Sequence, residues 1–588
     1  MISNGKRILA LSILFLLQSV CLHAVLPMPT IYYVDQTYGN DAWPGTLALP
    51  TPTANPANGP WRTIAKVNAS TFVAGDAILF KRGEIWREQL TVPSSGSTGT
   101  PITFGAYGTG TDKPLITGAD LLTRWSAESF GSITLYKTTI ATRPTQVFEN
   151  SVRKLQVSAK SLLVPGSWFW DAPNSQVYIR TSHDDPAFSY TIEASVRFRC
   201  IEISQSNIVI QDLELTKSSE SGTLGSKNNI TIQRCTVRQA FLNNIGFGAP
   251  FGTYMNPAVY DCDISEAGAN GVILAYNLSG GRIQRNVIHE NSRLHNALVG
   301  GDPQQQYSAG VKIWCANAPD SGADTIVSEN KVWGNAPHPW VTSDGHDDLR
   351  GVGIWLDEVK IPSLQPTLVK SNIVHDNASW GVYLEKTQRC GAEINLIYNN
   401  AAAQYTANLA LHTNSGVGSS DSWAYNNTVY GTGWAAVIFG GSDSLINCRL
   451  INNILAPTTG KTIYFMGMGA DATKANIIDF NCYAISAPLS IDTTAATLAR
   501  QFSTIATWRA ASGQDTHSLN ADPQFVSIVT PDFRLRPTSP AINAALPVGL
   551  MRDLVGVPVP QGTAPDIGAY ESGSPLSPTN LKIKINSR

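Results

Sequence analysis

Strand-like triplets of alternating aliphatic and polar residues recur along the chain, each associated with one fixed polar position. NITIQRCTV ending at Val237, PAVYDCDI ending at Ile264 and GRIQRNVI ending at Ile288 align with one another. TIVSENKV to Val332, LVKSNIV to Val374, SWAYNNTV to Val429 and RLINNIL to Leu455 continue the series. The aligned position reads Cys235, Cys262, Asn286, Asn330, Asn372, Asn427, Asn453 and Asn481, with Asn395 a weaker member between Asn372 and Asn427. A step near 24 residues that carries several short strands and turns predicts one rung of a parallel β-solenoid. An amide at an inward turn can donate to one rung and accept from the next, so a column of Asn satisfies itself along the axis.

This pattern resembles the right-handed parallel β-helix of pectate lyases and related secreted polysaccharide-degrading enzymes, over roughly residues 200 to 485. The resemblance implies an all-β chain, a single-stranded right-handed parallel β-helix (solenoid) with a small inserted β-rich module and a C-terminal cap. YYVDQTYGNDAWPGT, WRTIAKVN and GDAILFKRGEIW look like the capped entry of secreted bacterial β-helix proteins, with a short helix near Trp61 to Asn68. ADPQF, DFRLRPTSPAIN and DIGAYE, after a short helix in FSTIATWRAASG, resemble the closing segment of such proteins, expected to cover the exposed edge of the last rung. The expected organisation is a signal peptide over 1–24, an N-terminal cap and first rungs over 25–120, and the inserted module over 121–192. The β-helix core follows over 193–490, the capping segment over 491–571 and a polar tail over 572–588.

Length alone, 588 residues at roughly 150 per domain, would suggest about four domains; the repeat replaces them with one solenoid. Charged residues make up 15%, against about 25% in ordinary globular domains, and the formal charge of −2 gives no basic footprint for nucleic acid. Lys6 and Arg7 precede an apolar run from Ile8 to Leu17 that is too short to span a bilayer and reads as a secretory leader cleaved near Ala24. The mature protein is expected to be secreted (extracellular or periplasmic), free of the membrane and monomeric. Seven scattered cysteines remain after Cys21, an odd set that reads as small buried hydrophobes rather than a disulfide or zinc framework.

A second set of strands aligns inside the rungs: GVILA (Gly271–Ala275), GVKIW (Gly310–Trp314), GIWLD (Gly353–Asp357), GVYLE (Gly381–Glu385) and NLALH (Asn408–His412). The second and fourth residues are aliphatic and face the core, so the third and fifth face solvent. The outward columns read Ile273, Lys312, Trp355, Tyr383, Ala410 and Ala275, Trp314, Asp357, Glu385, His412. Rungs stack at roughly 4.8 Å, which makes Asp357 and Glu385 neighbours; like charges so placed push one pKa up. A carboxylic acid beside a carboxylate serves glycosidic bond cleavage, with Asp357 as nucleophile and Glu385 as acid/base. The layout is similar to that of β-helix glycosidases with an Asp and a Glu on neighbouring rungs. Lys312 and His412 flank the pair as candidate catalytic groups, and Trp314, Trp355 and Tyr383 offer flat faces for sugar rings.

Two long connections, His289–Tyr307 and Ala336–Arg350, precede the strands of Lys312 and Asp357 and are expected to wall that face. The second holds Asp344, His346, Asp347 and Asp348, an oxygen-rich group that could bind calcium together with Asp357. Some β-helix polysaccharide lyases look like this in outline; the resemblance implies Lys312 as base on a uronate, with Arg350 or Arg389 assisting. Three classes follow: a glycoside hydrolase, a polysaccharide lyase, and a non-catalytic carbohydrate-binding surface protein, each with a polysaccharide or oligosaccharide as partner.

Overall fold

The computed structural model describes residues 28–53, 57–294, 307–315, 320–339, 341, 349–400, 403–414, 418–442, 444–466, 475–485, 489–493 and 501–573. The chain winds through three sheets of 13 strands each, almost entirely parallel. One rung runs from Ile230–Gln233 on the first sheet, through Thr236–Arg238 on the second, to Ile245–Met255 on the third. Alternation drives the winding: on the first sheet Ile210, Ile232, Val259 and Ile283 stack in register, all buried, which removes their apolar surface from water. Lengths of two to six residues on the first two sheets leave each strand dependent on its neighbours in the stack.

The Asn column occupies the turn between the first and second sheets. Asn286 Nδ2 donates to Asn330 Oδ1 at 2.9 Å, Asn330 to Asn372 at 3.0 Å and Asn372 to Asn395 at 3.0 Å. Asn395 donates to Asn427 at 2.9 Å, and the series ends with Asn453 on Asn481 at 3.1 Å. Asn395 is therefore a full member of the ladder. The residue before each ladder position turns the chain through the left-handed region, as at Arg285 (φ 57°) and Glu329 (φ 58°). A second ladder runs in parallel at the next corner: Asn291, Asn335, Asn377 and Asn400, joined by amide bonds of 2.7 to 3.1 Å. Each lies five positions after a member of the first ladder, a fixed offset that the sequence carries openly.

The helix Ile64–Asn68, N-capped by Thr63, buries Ile64 and Val67 at the N-terminal end of the stack. Between Leu115–Thr117 and Arg199–Ile203 the chain leaves the solenoid to form two small, largely antiparallel sheets. They dock back on the rungs through buried polar groups: Arg153 reaches Glu266 O at 2.8 Å, and Glu193 pairs with both Arg87 and Lys217. The closing segment divides in two. The helix Ile505–Ser512 sets Trp508 against Phe465 at the last rungs. Residues beyond it lie on the outer face of the second sheet, where Phe533 packs on Tyr398 and Tyr430. That segment thus covers a face as well as an edge. All seven described cysteines are free and buried. No described helix is long and apolar enough to cross a membrane.

Candidate active site

The third sheet carries the site. Its strands Val272–Ser279, Ser308–Trp314, Arg350–Asp357, Val382–Glu385 and Ala407–Thr413 are consecutive and parallel. Their register pairs Ala275 with Trp314, Trp314 with Asp357, Asp357 with Glu385 and Glu385 with His412. The parallel column pairs Ile273 with Lys312, Lys312 with Trp355 and Trp355 with Tyr383. Both columns follow the expected alignment residue for residue.

Exposure departs from the expectation. Lys312, Trp355, Asp357, Tyr383 and Glu385 point outward from the sheet yet are buried, packed against one another and against Trp380. A cleft of about 870 Å³ lies over the sheet, lined by Lys312, Trp314, Trp355, Asp357 and Glu385 and reaching back across earlier rungs to Ser221. Tyr307 and Leu349, the described ends of the two long connections, also line it.

Lys312 Nζ lies 3.1 Å from Asp357 Oδ2 and 3.5 Å above the Trp355 ring centroid. Trp355 Nε1 in turn donates to Glu385 Oε2 at 3.1 Å. The indole thus holds a cation on its face and a carboxyl at its edge. Burial and the Asp357 charge push the Glu385 pKa up to about 7, against the pull of Lys386, Lys312 and the Trp355 hydrogen bond. Burial draws the Lys312 ammonium below its ordinary value, opposed by Asp357 and Glu385.

The expected sugar platforms divide. Trp314 lines the cleft and packs beside Tyr276, ring centroids 5.1 Å apart. Trp355 has one face under Lys312 and lies 5.4 Å from Tyr383, so neither face is open to a sugar. Tyr383 stacks on Trp380 at 4.2 Å. His412 does not line the cleft; its Nδ1 meets the Tyr383 hydroxyl at 3.0 Å, and burial, with Lys386 adding to it, pushes its pKa down to about 4. A neutral imidazole held by a tyrosine replaces the expected charged flank.

Arg350 is buried at the opposite end of its strand, seven residues from Asp357, and Arg389 itself sits in the left-handed region (φ 54°), its Nη1 donating to Pro362 O at 3.3 Å. Neither lines the cleft. The calcium expectation rests on Asp344, Asp347 and Asp348, which lie outside the described residues. The fourth oxygen source named with them, Asp357, is engaged by Lys312.

Two charged lining residues beside the carboxyl pair escaped the sequence reading. Glu358 and Lys386 directly follow Asp357 and Glu385, each in a left-handed turn that ends the strand (φ 58° and 53°). Lys386 Nζ lies 3.3 Å from Glu358 Oε1 and 3.8 Å from Glu385 Oε1. Their signal was a charged doublet at each strand end in a chain with few charges. Strand alternation does not extend past a strand's last residue, so it gave them no orientation.

Residues 191–356 match the family model of the right-handed beta helix region. No curated protein sequence matches the chain. Among solved structures, the complex of XylC with xylose is similar with a TM-score of 0.57 at 13% identity, over 84% of this chain and 87% of that one. Pectate lyase Pel9A is similar with a TM-score of 0.41 at 12% identity, over 93% and 97%. GH136 lacto-N-biosidase from Eubacterium ramulus reaches 0.37 at 13% identity, over 76% and 65%. Three parallel sheets each visited once per rung, the family match within them and the likeness to XylC together make this chain a right-handed parallel β-helix protein.

Proposed function

We propose that this protein is a secreted carbohydrate-active enzyme that hydrolyses glycosidic bonds, with Asp357 as nucleophile and Glu385 as acid/base. The observation that carries the reading is the contrast between two adjacent carboxyls in one cleft. Asp357 is ion-paired with Lys312, while burial and the neighbouring Asp357 favour a proton on Glu385 near neutral pH. Trp355 donates to Glu385 Oε2, leaving Oε1 for the proton.

In the first step Glu385 protonates the glycosidic oxygen as its bond to the anomeric carbon breaks. Asp357 bonds to that carbon, giving a glycosyl-enzyme ester and the free leaving alcohol. In the second, the Glu385 carboxylate takes a proton from water, whose oxygen displaces Asp357. Adjacent strands place the two residues roughly 4.8 Å apart along the axis, close to the about 5–5.5 Å carboxyl separation of retaining enzymes. Asp357→Ala and Glu385→Ala are each expected to abolish sugar release from an active substrate; activity surviving both overturns the assignment.

The lowered pKa of Lys312 favours a second reading, in which Lys312 removes a proton beside a uronate carboxylate. That reaction generates an unsaturated, ultraviolet-absorbing product, and its appearance would select it. Export belongs to the same proposal: the secreted protein is expected to begin near Val25, which N-terminal sequencing reads directly.

A further inference from the structure

The cleft is markedly one-sided. The two carboxyls stand near its C-terminal end, where the next residue in their column, His412, is engaged with Tyr383 and does not line it. In the other direction the cleft continues over the strands of Trp314, Ile273–Tyr276, Phe247–Gly248 and Ser221–Leu224. At roughly 4.8 Å per rung, that arm runs for about 15–20 Å.

Its outward positions are small or apolar. Gly248 pairs with Ala275, which pairs with Trp314; Leu224 pairs with Gly246, which pairs with Ile273. Glycine and alanine occupy part of the groove floor, and the paired rings of Trp314 and Tyr276 form an aromatic wall next to the carboxyls.

Charge decides what such an arm can hold. Among the described residues that line the cleft, the cations are Lys312 and Lys386, and each is paired with a carboxylate of the site. The anions are Glu220, Asp357, Glu358 and Glu385. Residues 295–306 and 342–348 of the long connections contain neither Lys nor Arg; Arg293 of the first donates to Ala336 O, and neither it nor Arg350 of the second lines the cleft. A chain of uronates would bring one negative charge per sugar into a partly desolvated groove where both described lining cations are already paired with carboxylates.

Resting on the hydrolase reading above, we infer that the arm from Trp314 to Ser221 binds a neutral oligosaccharide lying along the helix axis, with the sugar next to the scissile bond against Trp314 and Tyr276. Apolar sugar faces meet Ile273, Ala275 and the two rings, while the Asn243 amide at the groove's flank supplies a polar partner for a hydroxyl.

Calorimetric titration of the full-length Glu385→Gln protein tests this without turnover, since Gln keeps an acceptor for Trp355. The probes are β-1,4-linked xylo-, gluco-, manno- and galacto-tetrasaccharides, and tetragalacturonate. At least one neutral tetrasaccharide is expected to bind. Adding Trp314→Ala, or Tyr276→Gly at its left-handed position (φ 67°), should weaken that binding about tenfold or more with the thermal transition kept. Binding of tetragalacturonate, of none of the probes, or of a neutral one unaffected by both ring deletions overturns the inference. Failure of the hydrolase reading is seen separately: neutral binding would hold while the Asp357→Ala and Glu385→Ala proteins still release sugar.

Discussion

Lys312 Nζ and Asp357 Oδ2 meet at 3.1 Å across two neighbouring strands, with both side chains almost wholly withdrawn from water. Neither group can be removed alone without stranding the other. Lys312→Met leaves a buried carboxylate unpaired and is expected to cost about 3–5 kcal/mol, seen as a fall in the urea midpoint. The double variant with Asp357→Leu should recover much of that loss, because it removes both charges together. A double variant no more stable than Lys312→Met would show that the pair is not a unit.

Glu385 fixes the alkaline limb of activity. Its raised pKa, about 7, means the proton needed for leaving-group departure is present below that pH and lost above it. The rate is therefore expected to fall as pH rises through about 7. Lys386 pulls the same pKa down, so Lys386→Met should move the limb to higher pH. A shift to lower pH would contradict the geometry.

Trp355 acts through Glu385 rather than by touching sugar. Trp355→Phe keeps a ring under Lys312 but removes the N–H that Glu385 Oε2 accepts. The lost hydrogen bond favoured the carboxylate, so the alkaline limb should again rise. The kcat should fall about tenfold with KM little changed, the cost of one hydrogen bond to a charged group being about 1.5–3 kcal/mol. A loss confined to KM would restore Trp355 to the role of a platform.

His412 gives the opposite expectation. Its imidazole is neutral at pH 7, bonded to Tyr383 and outside the cleft lining. His412→Gln is expected to lower kcat/KM by less than about tenfold, under 1.4 kcal/mol. A loss as deep as that of Glu385→Ala would return it to the catalytic set.

The sequence made the columns legible because a strand's period of two leaves no freedom once the core residues are known. Asp357 beside Glu385 and Lys312 beside Trp355 follow from that alone. Depth did not follow. Whether an outward side chain meets water depends on its neighbours from other parts of the chain, which alternation along a strand does not specify. Trp355 and Tyr383 accordingly read as open faces, while Lys312 and Trp380 occupy them. The second ladder, Asn291 to Asn400, was visible as a fixed offset but required looking for a repeat within the repeat.

The ladders themselves can be tested at Asn372. Its amide donates to Asn395 Oδ1 at 3.0 Å and to Val327 O at 2.9 Å, and its oxygen accepts from the Asn330 backbone and amide at 3.0 Å. Asn372→Ala orphans donors and acceptors on both adjoining rungs, none of which can reach water. At about 1–3 kcal/mol for each group left unsatisfied, the substitution should lower the urea midpoint more than Ile→Val in the neighbouring core, about 0.5–1.5 kcal/mol. Asn372→Cys, the residue found at positions 235 and 262 of the same column, should be milder, since a thiol at Cys262 accepts from the backbone N–H of Cys235. Equal losses for Ala and Cys would mean that a thiol at this position takes up none of the hydrogen bonds the amide leaves.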